Sequence, residues 1–190
     1  MHLHSMSDAS PPMTRETAAN LDVHALATMH GRDVFRAAFR VSGDSAQAED
    51  IQQTVFIRLL EKPPRKTIEN WKGYLCAMAT RAAIDELRRA QRWQRLTGPR
   101  LAGWVSSDPQ PGVVLDDQLR ARSLRLALGR IPRRQAECFA LRFFDGLELA
   151  EIAEALSITS NAVSVSLNRA VNAIRDRITA IESSAQEHSS

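Results

Sequence analysis

LELAEIAEALSITSNAVSVSLNRAVNAIRDRI, residues 147–178, contains two helical patterns separated by a short turn. Apolar residues recur at helical spacing through Leu149, Ile152 and Leu156, stop at Ser157, and resume from Ala162. Two helices joined by such a turn predict a helix-turn-helix, whose second helix fits the major groove of DNA. The same spacing also suits a helical hairpin in any α-helical bundle, so the pattern alone leaves both interpretations open.

The composition excludes several classes of protein. The 190 residues can form one large domain or two small ones, and 44% hydrophobic with 25% charged residues is typical of a soluble chain. No apolar run approaches the roughly 20 residues of a membrane span, and the N-terminus lacks signal-peptide features. We therefore expect a cytoplasmic protein with no membrane insertion. Cys76 and Cys138 are predicted to be buried thiols, and we expect no metal and no cofactor, since the five His lack ligand spacing.

Positive charge is concentrated in two segments, although the net charge is only +3. Residues 61–100 contain ten Lys or Arg and four acidic residues, and residues 120–178 contain ten Arg and six acidic residues. Two basic segments indicate two contact zones for a polyanion.

The chain divides into two helical parts and three less regular segments. Periodicity predicts helices over 21–41, 46–61, 71–95, 119–131 and 132–144, before the two in 147–178; no strand pattern or repeat is present. We predict an all-α protein of two small domains, 16–96 and 118–180. Residues 97–117, which contain several Pro and Gly, are the expected flexible linker, with a disordered leader at 1–15 and a disordered tail at 181–190.

The predicted helix 71–95 has a polar face that is strongly basic. Arg81, Asp85, Arg88, Arg92 and Arg95 repeat at spacings of four and three, and Trp71 and Trp93 lie on the same helix. A charged stripe is usually a solvated face. Guanidinium groups beside aromatic rings also suit single-stranded nucleic acid, where the former bind phosphates and the latter stack on bases.

Three segments resemble the minimal, extracytoplasmic-function group of sigma factors. GDSAQAEDIQQTVFIRLLE, from Gly43, and WKGYLCAMATRAAIDELRRAQR, from Trp71, resemble region 2 of that family. IPRRQAECFALRFFDGLELAEIAEALSITSNAVSVSLNRAVNAIR, from Ile131, resembles its region 4. The resemblance covers about residues 21–178 apart from the linker. It implies a sigma factor that directs core RNA polymerase to promoters, opens them, and is commonly held inactive by an anti-sigma factor.

The resemblance also implies roles for individual residues. Binding of core polymerase, through its β′ and β subunits, is expected to involve Glu49, Asp50, Gln53 and Arg58. Binding of the minus-10 element, where a base is flipped from the stack, is expected to involve Lys62, Arg65, Lys66, Asn70, Trp71, Arg81, Arg88, Arg89 and Arg92. Binding of the minus-35 element in promoter DNA is expected to involve Ser160, Asn161, Ser164, Val165, Asn168 and Arg169.

The sequence departs from the family pattern in the predicted recognition helix. Ser164, Ser166 and Asn168 stand where basic residues and a His are frequent, so fewer phosphate contacts are expected. Asn can still bind base edges, most naturally adenine. Ser157 replaces the Gly usual in the turn, with modest expected strain. A compact arrangement of the two domains in the absence of polymerase is expected to hide both basic surfaces.

Three alternatives stay open at this stage. A helix-turn-helix regulator would bind duplex DNA alone, and a sigma-like protein that has lost promoter reading would only bind polymerase. An enzyme is disfavoured, and no catalytic residue is predicted. Four acidic residues do lie close together in sequence, but they are interpreted as helix-end and solvent-facing residues: Glu137, Asp145, Glu148 and Glu151.

Overall fold

The computed structural model describes residues 21–97 and 115–187 of the chain, and these contain seven α-helices. The order of helices agrees with the periodicity of the sequence. The bounds are α1 Val23–Ser42, α2 Ser45–Glu61, α3 Trp71–Thr97, α4 Leu115–Leu128, α5 Arg133–Phe143, α6 Leu149–Leu156 and α7 Ser160–Glu187. No strand occurs within these two ranges, which confirms the all-α prediction.

Helices α1–α3 form the first half of the molecule. Asp22 caps α1 by accepting a hydrogen bond from the backbone N–H of Ala25, and Asp44 caps α2 in the same way. Gly43 ends α1 at φ +74°, a left-handed conformation in which a β-carbon would cost energy. The helices bury their apolar stripes against one another, including Val34, Val55, Leu59, Leu75 and Ile84.

The second half consists of α4–α7. Helix α6 begins with a capping box, in which Glu148 and Glu151 reciprocally bind each other's backbone N–H groups. It ends at Ser157, the one residue other than glycine with a positive φ in the described part of the chain (+54°). Helix α7 starts three residues later, so the helix-turn-helix predicted from residues 147–178 is present.

The two halves pack directly on one another. Helix α3 contacts α5, α6 and α4, and buried apolar side chains form a single continuous core from Val23 to Ile174. Gln91 of α3, itself buried, donates a hydrogen bond to the carbonyl of Leu126 on α4 (3.1 Å). In this arrangement α3 is the central helix of the whole molecule.

Several helix ends differ from the sequence-based boundaries. Helix α4 starts at Leu115, inside the range 97–117 assigned to the linker, and α7 continues to Glu187, past the boundary at residue 180. Neither continuation meets a Gly or Pro, so nothing in the local sequence stops the helix. The predicted leader, 1–15, and most of the predicted linker, 98–114, lie outside the described residues.

The solvent-facing interpretation of two acidic residues was wrong, because the side chain of Glu137 is only 2% exposed and that of Asp145 only 7%. Asp145 does lie at a helix end, two residues after α5, whereas Glu137 lies within that helix. Glu148 is exposed and Glu151 half-buried. The two buried carboxylates are tolerated because arginines from neighbouring elements pair with them.

Candidate nucleic-acid interface

Helix α7 presents a polar and largely exposed face at its N-terminal end. Of the six residues predicted to bind the minus-35 element, five are exposed: Ser160, Asn161, Val165, Asn168 and Arg169. The sixth, Ser164, is half-buried and its hydroxyl donates to the carbonyl of Ser160 (3.2 Å). The opposite face, with Val163, Leu167 and Ala170, is buried in the core. This face is therefore accessible, which contradicts the expectation that a compact arrangement hides both basic surfaces.

Helix α2 presents the second accessible surface. Glu49, Asp50, Gln53 and Arg58, predicted to bind core polymerase, are all exposed on the side of the helix away from Val55. Beside them, two large apolar side chains are exposed, at 53% for Ile57 and 66% for Leu60. These two side chains make the exposed face of α2 partly apolar. Sequence reasoning missed Ile57 because it falls between the core-facing and polar stripes.

Eight of the nine residues predicted to bind the minus-10 element fall into two groups of four. Lys62, Arg65, Arg89 and Arg92 are exposed, and Arg89 forms an ion pair with Glu86 one turn earlier (2.9 Å). Trp71 belongs with neither group, because it is half-buried, packs on the core and contacts Tyr74 edge to face.

The second group forms hydrogen bonds with the other half of the molecule, although Lys66 itself is exposed. The ammonium of Lys66 donates to the hydroxyl of Ser157 (3.0 Å), and the side-chain amide of Asn70 donates to Glu151 (2.8 Å). Arg88 donates to the carbonyl of Ile131 (2.7 Å). Together with Arg81, these residues form polar contacts along one side of α3 and its preceding loop. The structure thus brings predicted DNA-binding residues into an interdomain seam.

Arg81 lies at the centre of this seam. Its Nε donates to the carboxylate of Glu137 (3.0 Å), which also accepts from Arg133 (3.0 Å) and Arg134 (3.1 Å). These four side chains line a cavity of about 390 Å³ between α3 and α5. Three guanidinium groups donate to this buried carboxylate, two to Oε1 and one to Oε2, and these charge-assisted hydrogen bonds compensate its desolvation.

A second buried carboxylate lies where α1 meets the turn after α5. Asp145 accepts a hydrogen bond from Arg40 (3.2 Å) and one from Thr80 (3.5 Å), and Arg40 also donates to the carbonyl of Phe144. Burial raises the pKa of Asp145 from 3.8 to about 6, and the negative charge of Asp33 adds to this, whereas Arg40 opposes it. Burial outweighs the ion pair because Arg40 itself remains 46% exposed and well solvated.

Within residues 21–97 and 115–187, no group of three or more His, Cys, Asp or Glu could hold a metal ion. Cys76 and Cys138 are buried and unpaired, and burial raises the pKa of the Cys76 thiol to about 12, so it stays protonated and unreactive. None of the helices in these ranges has the length and apolarity of a transmembrane span.

Comparison with known families matches both halves of the chain. Sigma-70 region 2 matches residues 26–93, which cover α2 and most of α1 and α3. Sigma-70 region 4 matches residues 121–174, which cover α5, α6, most of α4 and the first half of α7. The two matches are in the order expected for this family and together cover more than half of the chain.

Individual relatives show the same likeness. An ECF RNA polymerase sigma factor, SigE of Mycolicibacterium smegmatis, is 27% identical over 86% of this chain, which spans 64% of that relative. SigL of Mycobacterium tuberculosis is 28% identical over 80% of this chain and 86% of its own length. Among solved structures, the sigma factor RpoE of Bartonella quintana, in complex with the anti-sigma factor NepR, shares the fold, with a TM-score of 0.56 and 18% identity over 83% of this chain and 97% of that one.

Proposed function

This chain belongs to the extracytoplasmic-function group of the sigma-70 family. We propose that it binds core RNA polymerase and directs it to promoters in the cytoplasm. This proposal rests on one observation. Regions 2 and 4 of the family follow one another along the chain, and each contains a helix with one solvent-exposed face. One face is on α2 and the other on α7.

The α2 face supports docking on polymerase. Its exposed carboxylates and amide surround Ile57 and Leu60, which combine apolar area with a polar rim, as in protein–protein interfaces. Lys62 and Arg65 follow directly in an exposed loop, so a docked α2 would place basic side chains beside DNA entering the complex. We assign Glu49, Asp50, Gln53 and Arg58 to this contact, with the two aliphatic residues as its apolar centre.

The α7 face supports reading of the minus-35 element. Asn168 and Arg169 are exposed on the same helix turn, and Val165 and Asn161 lie one and two turns earlier, respectively. An amide can bind an adenine edge, a methyl group of Val can contact thymine, and a guanidinium can bind guanine or phosphate. Because basic residues are few here, binding of duplex DNA by the isolated chain is expected to be weak, and polymerase supplies the remaining affinity.

Reading of the minus-10 element requires the two halves to separate. Asn70, Arg81 and Arg88 are half-buried, and each uses a side-chain donor on the second half of the molecule. Lys66 is exposed but also donates to that half. These donors become available to a DNA strand only when the seam opens. We therefore propose that the compact arrangement is the resting state of the free chain and that polymerase binding opens it. An anti-sigma factor, like the one bound by the Bartonella relative, would act on the same two-part molecule.

A second candidate function is supported by the polar recognition helix. A sigma-like protein that binds polymerase without reading promoters would need the α2 face but not the α7 face. The few basic residues at the start of α7 favour this alternative over a stand-alone regulator, since the latter must bind duplex DNA by itself.

Run-off transcription tests these functions. Core polymerase is combined with the full chain, or with the double variant Asn168→Ala, Arg169→Ala, on a library of genomic promoter fragments. New discrete transcripts that the double variant loses establish a promoter-reading sigma factor. Transcripts that persist in the double variant show that α7 does not read promoters, and core binding without transcripts supports the sequestering alternative.

The variant Leu60→Glu tests the α2 face separately, because it leaves the α7 face unchanged. We expect it to abolish core binding while leaving the fold intact, because Leu60 is two-thirds exposed. Duplex binding by the chain alone, unaffected by Leu60→Glu, would instead identify a stand-alone regulator.

A further inference from the structure

A second cavity in the interdomain seam has a different charge from the one at Glu137. It has a volume of about 260 Å³ and lies between the C-terminal half of α3 and the turn that joins α4 to α5. Its lining consists of four arginines, one amide and one glycine: Arg88, Gln91, Arg92, Arg95, Gly129 and Arg130.

The positive charge of this cavity is uncompensated within the described residues. The cavity at Arg81 contains Glu137, and Asp85 lies 3.6 Å from Arg133, so its guanidinium groups are paired with carboxylates. No acidic side chain of the described residues lines the second cavity. Arg88 uses one N–H on the carbonyl of Ile131, and no ion pair of Arg92, Arg95 or Arg130 occurs in residues 21–97 and 115–187. Four like charges around one concave space favour an anion there.

Both halves of the molecule are needed to form the cavity. Arg88, Arg92 and Arg95 lie on one face of α3, at spacings of four and three, and Arg130 comes from the turn of the second half. Gly129 permits this approach, because a β-carbon at that position would lie 2.3 Å from the Nε2 atom of Gln91. The turn can therefore lie directly on α3, with Arg130 beside the three arginines of that helix.

We propose that this cavity binds a small anion containing linked phosphate groups, such as a pyrophosphate or the phosphate chain of a nucleotide. Guanidinium groups bind phosphate oxygens through paired N–H donors. Four guanidinium groups carry more positive charge than one phosphate group neutralises, which favours an anion with linked phosphate groups. The volume admits a short phosphate chain but not a folded polypeptide segment. Because the anion contacts both halves, its binding stabilises the compact arrangement, independently of whether the chain initiates transcription.

Calorimetric titration of the full chain with inorganic pyrophosphate, at fixed salt concentration, tests this proposal. We expect one saturable site, with Kd weakened at least about tenfold by Arg95→Ala and by Arg130→Ala, each of which removes charge-assisted hydrogen bonds from one half. Neither residue is among those assigned to DNA. The matched control Arg177→Ala removes an exposed arginine of α7, outside the cavity, and should bind pyrophosphate like the unaltered chain.

Two further arms define the ligand and its effect. Titration with ATP distinguishes a free phosphate chain from a nucleotide as the ligand. Equal affinity for ATP and pyrophosphate means that only the phosphate chain is recognised. Tighter binding of ATP means that the site also contacts the rest of the nucleotide. In thermal unfolding at the same pyrophosphate concentration, Tm should rise equally for the unaltered chain and for Arg177→Ala, and should rise less for Arg130→Ala.

Three results would overturn the proposal. The first is no saturable binding up to about 1 mM pyrophosphate, beyond which affinity is too weak for a specific site. The second is an equal loss of affinity in Arg130→Ala and Arg177→Ala, which would mean binding to net charge alone. The third is that Arg95→Ala and Arg130→Ala weaken binding of a single-stranded oligonucleotide but not of pyrophosphate, which would make the arginines part of the DNA path.

Discussion

The guanidinium of Arg81, in the first half of the molecule, lies 3.0 Å from the carboxylate of Glu137, in the second half. Arg81 was predicted to bind the phosphates of a DNA strand, and in this structure its Nε donates to Glu137 instead. Under the proposed function, the interdomain seam and a DNA strand therefore compete for the same guanidinium group.

We expect Glu137→Gln to lower the free energy of unfolding by about 1–3 kcal/mol, since the amide cannot replace three charge-assisted hydrogen bonds. Urea denaturation followed by circular dichroism measures this. The control Glu86→Gln removes an ion pair with Arg89 that is exposed on both sides, and should cost less than about 1 kcal/mol. Equal effects of the two substitutions would show that the seam at Glu137 contributes no more than a surface pair.

The pH dependence of stability should contain a contribution from Asp145. Its folded-state pKa of about 6 lies above the ordinary value of 3.8, so the folded chain binds this proton more tightly than the unfolded chain. This carboxyl therefore favours the folded state at low pH, and that contribution is lost as pH rises through about 6. Asp145→Asn, which is neutral throughout, should gain stability relative to the unaltered chain as pH rises from 4 to above 6, by up to about 3 kcal/mol.

Urea denaturation at a series of pH values checks this prediction. Asp176→Asn is the matched control for the loss of one carboxylate, because it removes one at an exposed position on α7. A difference between Asp145→Asn and the unaltered chain that stays constant with pH would contradict a raised pKa at Asp145.

The turn of the helix-turn-helix should be stabilised by Ser157→Gly. Ser157 has φ +54°, where its β-carbon is strained, and its hydroxyl accepts an exposed hydrogen bond from Lys66. Relief of strain outweighs loss of a surface contact, so we expect a gain of about 0.5–1 kcal/mol. Ser157→Ala loses the hydroxyl but keeps the strain, and should be less stable than the unaltered chain. A Gly variant no more stable than the Ala variant would show that the turn is unstrained.

Substitution of Arg169 tests the minus-35 contact by its salt dependence. In complex with core polymerase, Arg169→Ala should weaken promoter binding and reduce the slope of log K against log salt by about one, because one phosphate contact is lost. Fluorescence anisotropy with a labelled promoter duplex measures both. Arg36→Ala removes an exposed arginine of α1 and should leave the slope unchanged. A slope unchanged in Arg169→Ala would place that residue away from the DNA backbone.

The helices, the helix-turn-helix and the family could all be predicted from the amino-acid sequence. Apolar residues at spacings of three and four predict all seven helices, and local signals such as Asp22, Gly43 and Asp44 place several of their ends. These features depend on near neighbours along the chain, so a one-dimensional pattern contains them. Helix ends without a Gly or Pro signal, at Leu115 and Glu187, were predicted less accurately.

Which polar residues contact one another could be seen only once the chain was folded. Glu137 is far from Arg81 in sequence and Asp145 is far from Arg40, and nothing local distinguishes a buried, paired carboxylate from a solvated one. The same holds for the exposure of the α7 face and for Arg130 beside the arginines of α3. These relationships arise when the two halves pack together. A buried charge is then stabilised by its partner across the seam, because water no longer solvates it.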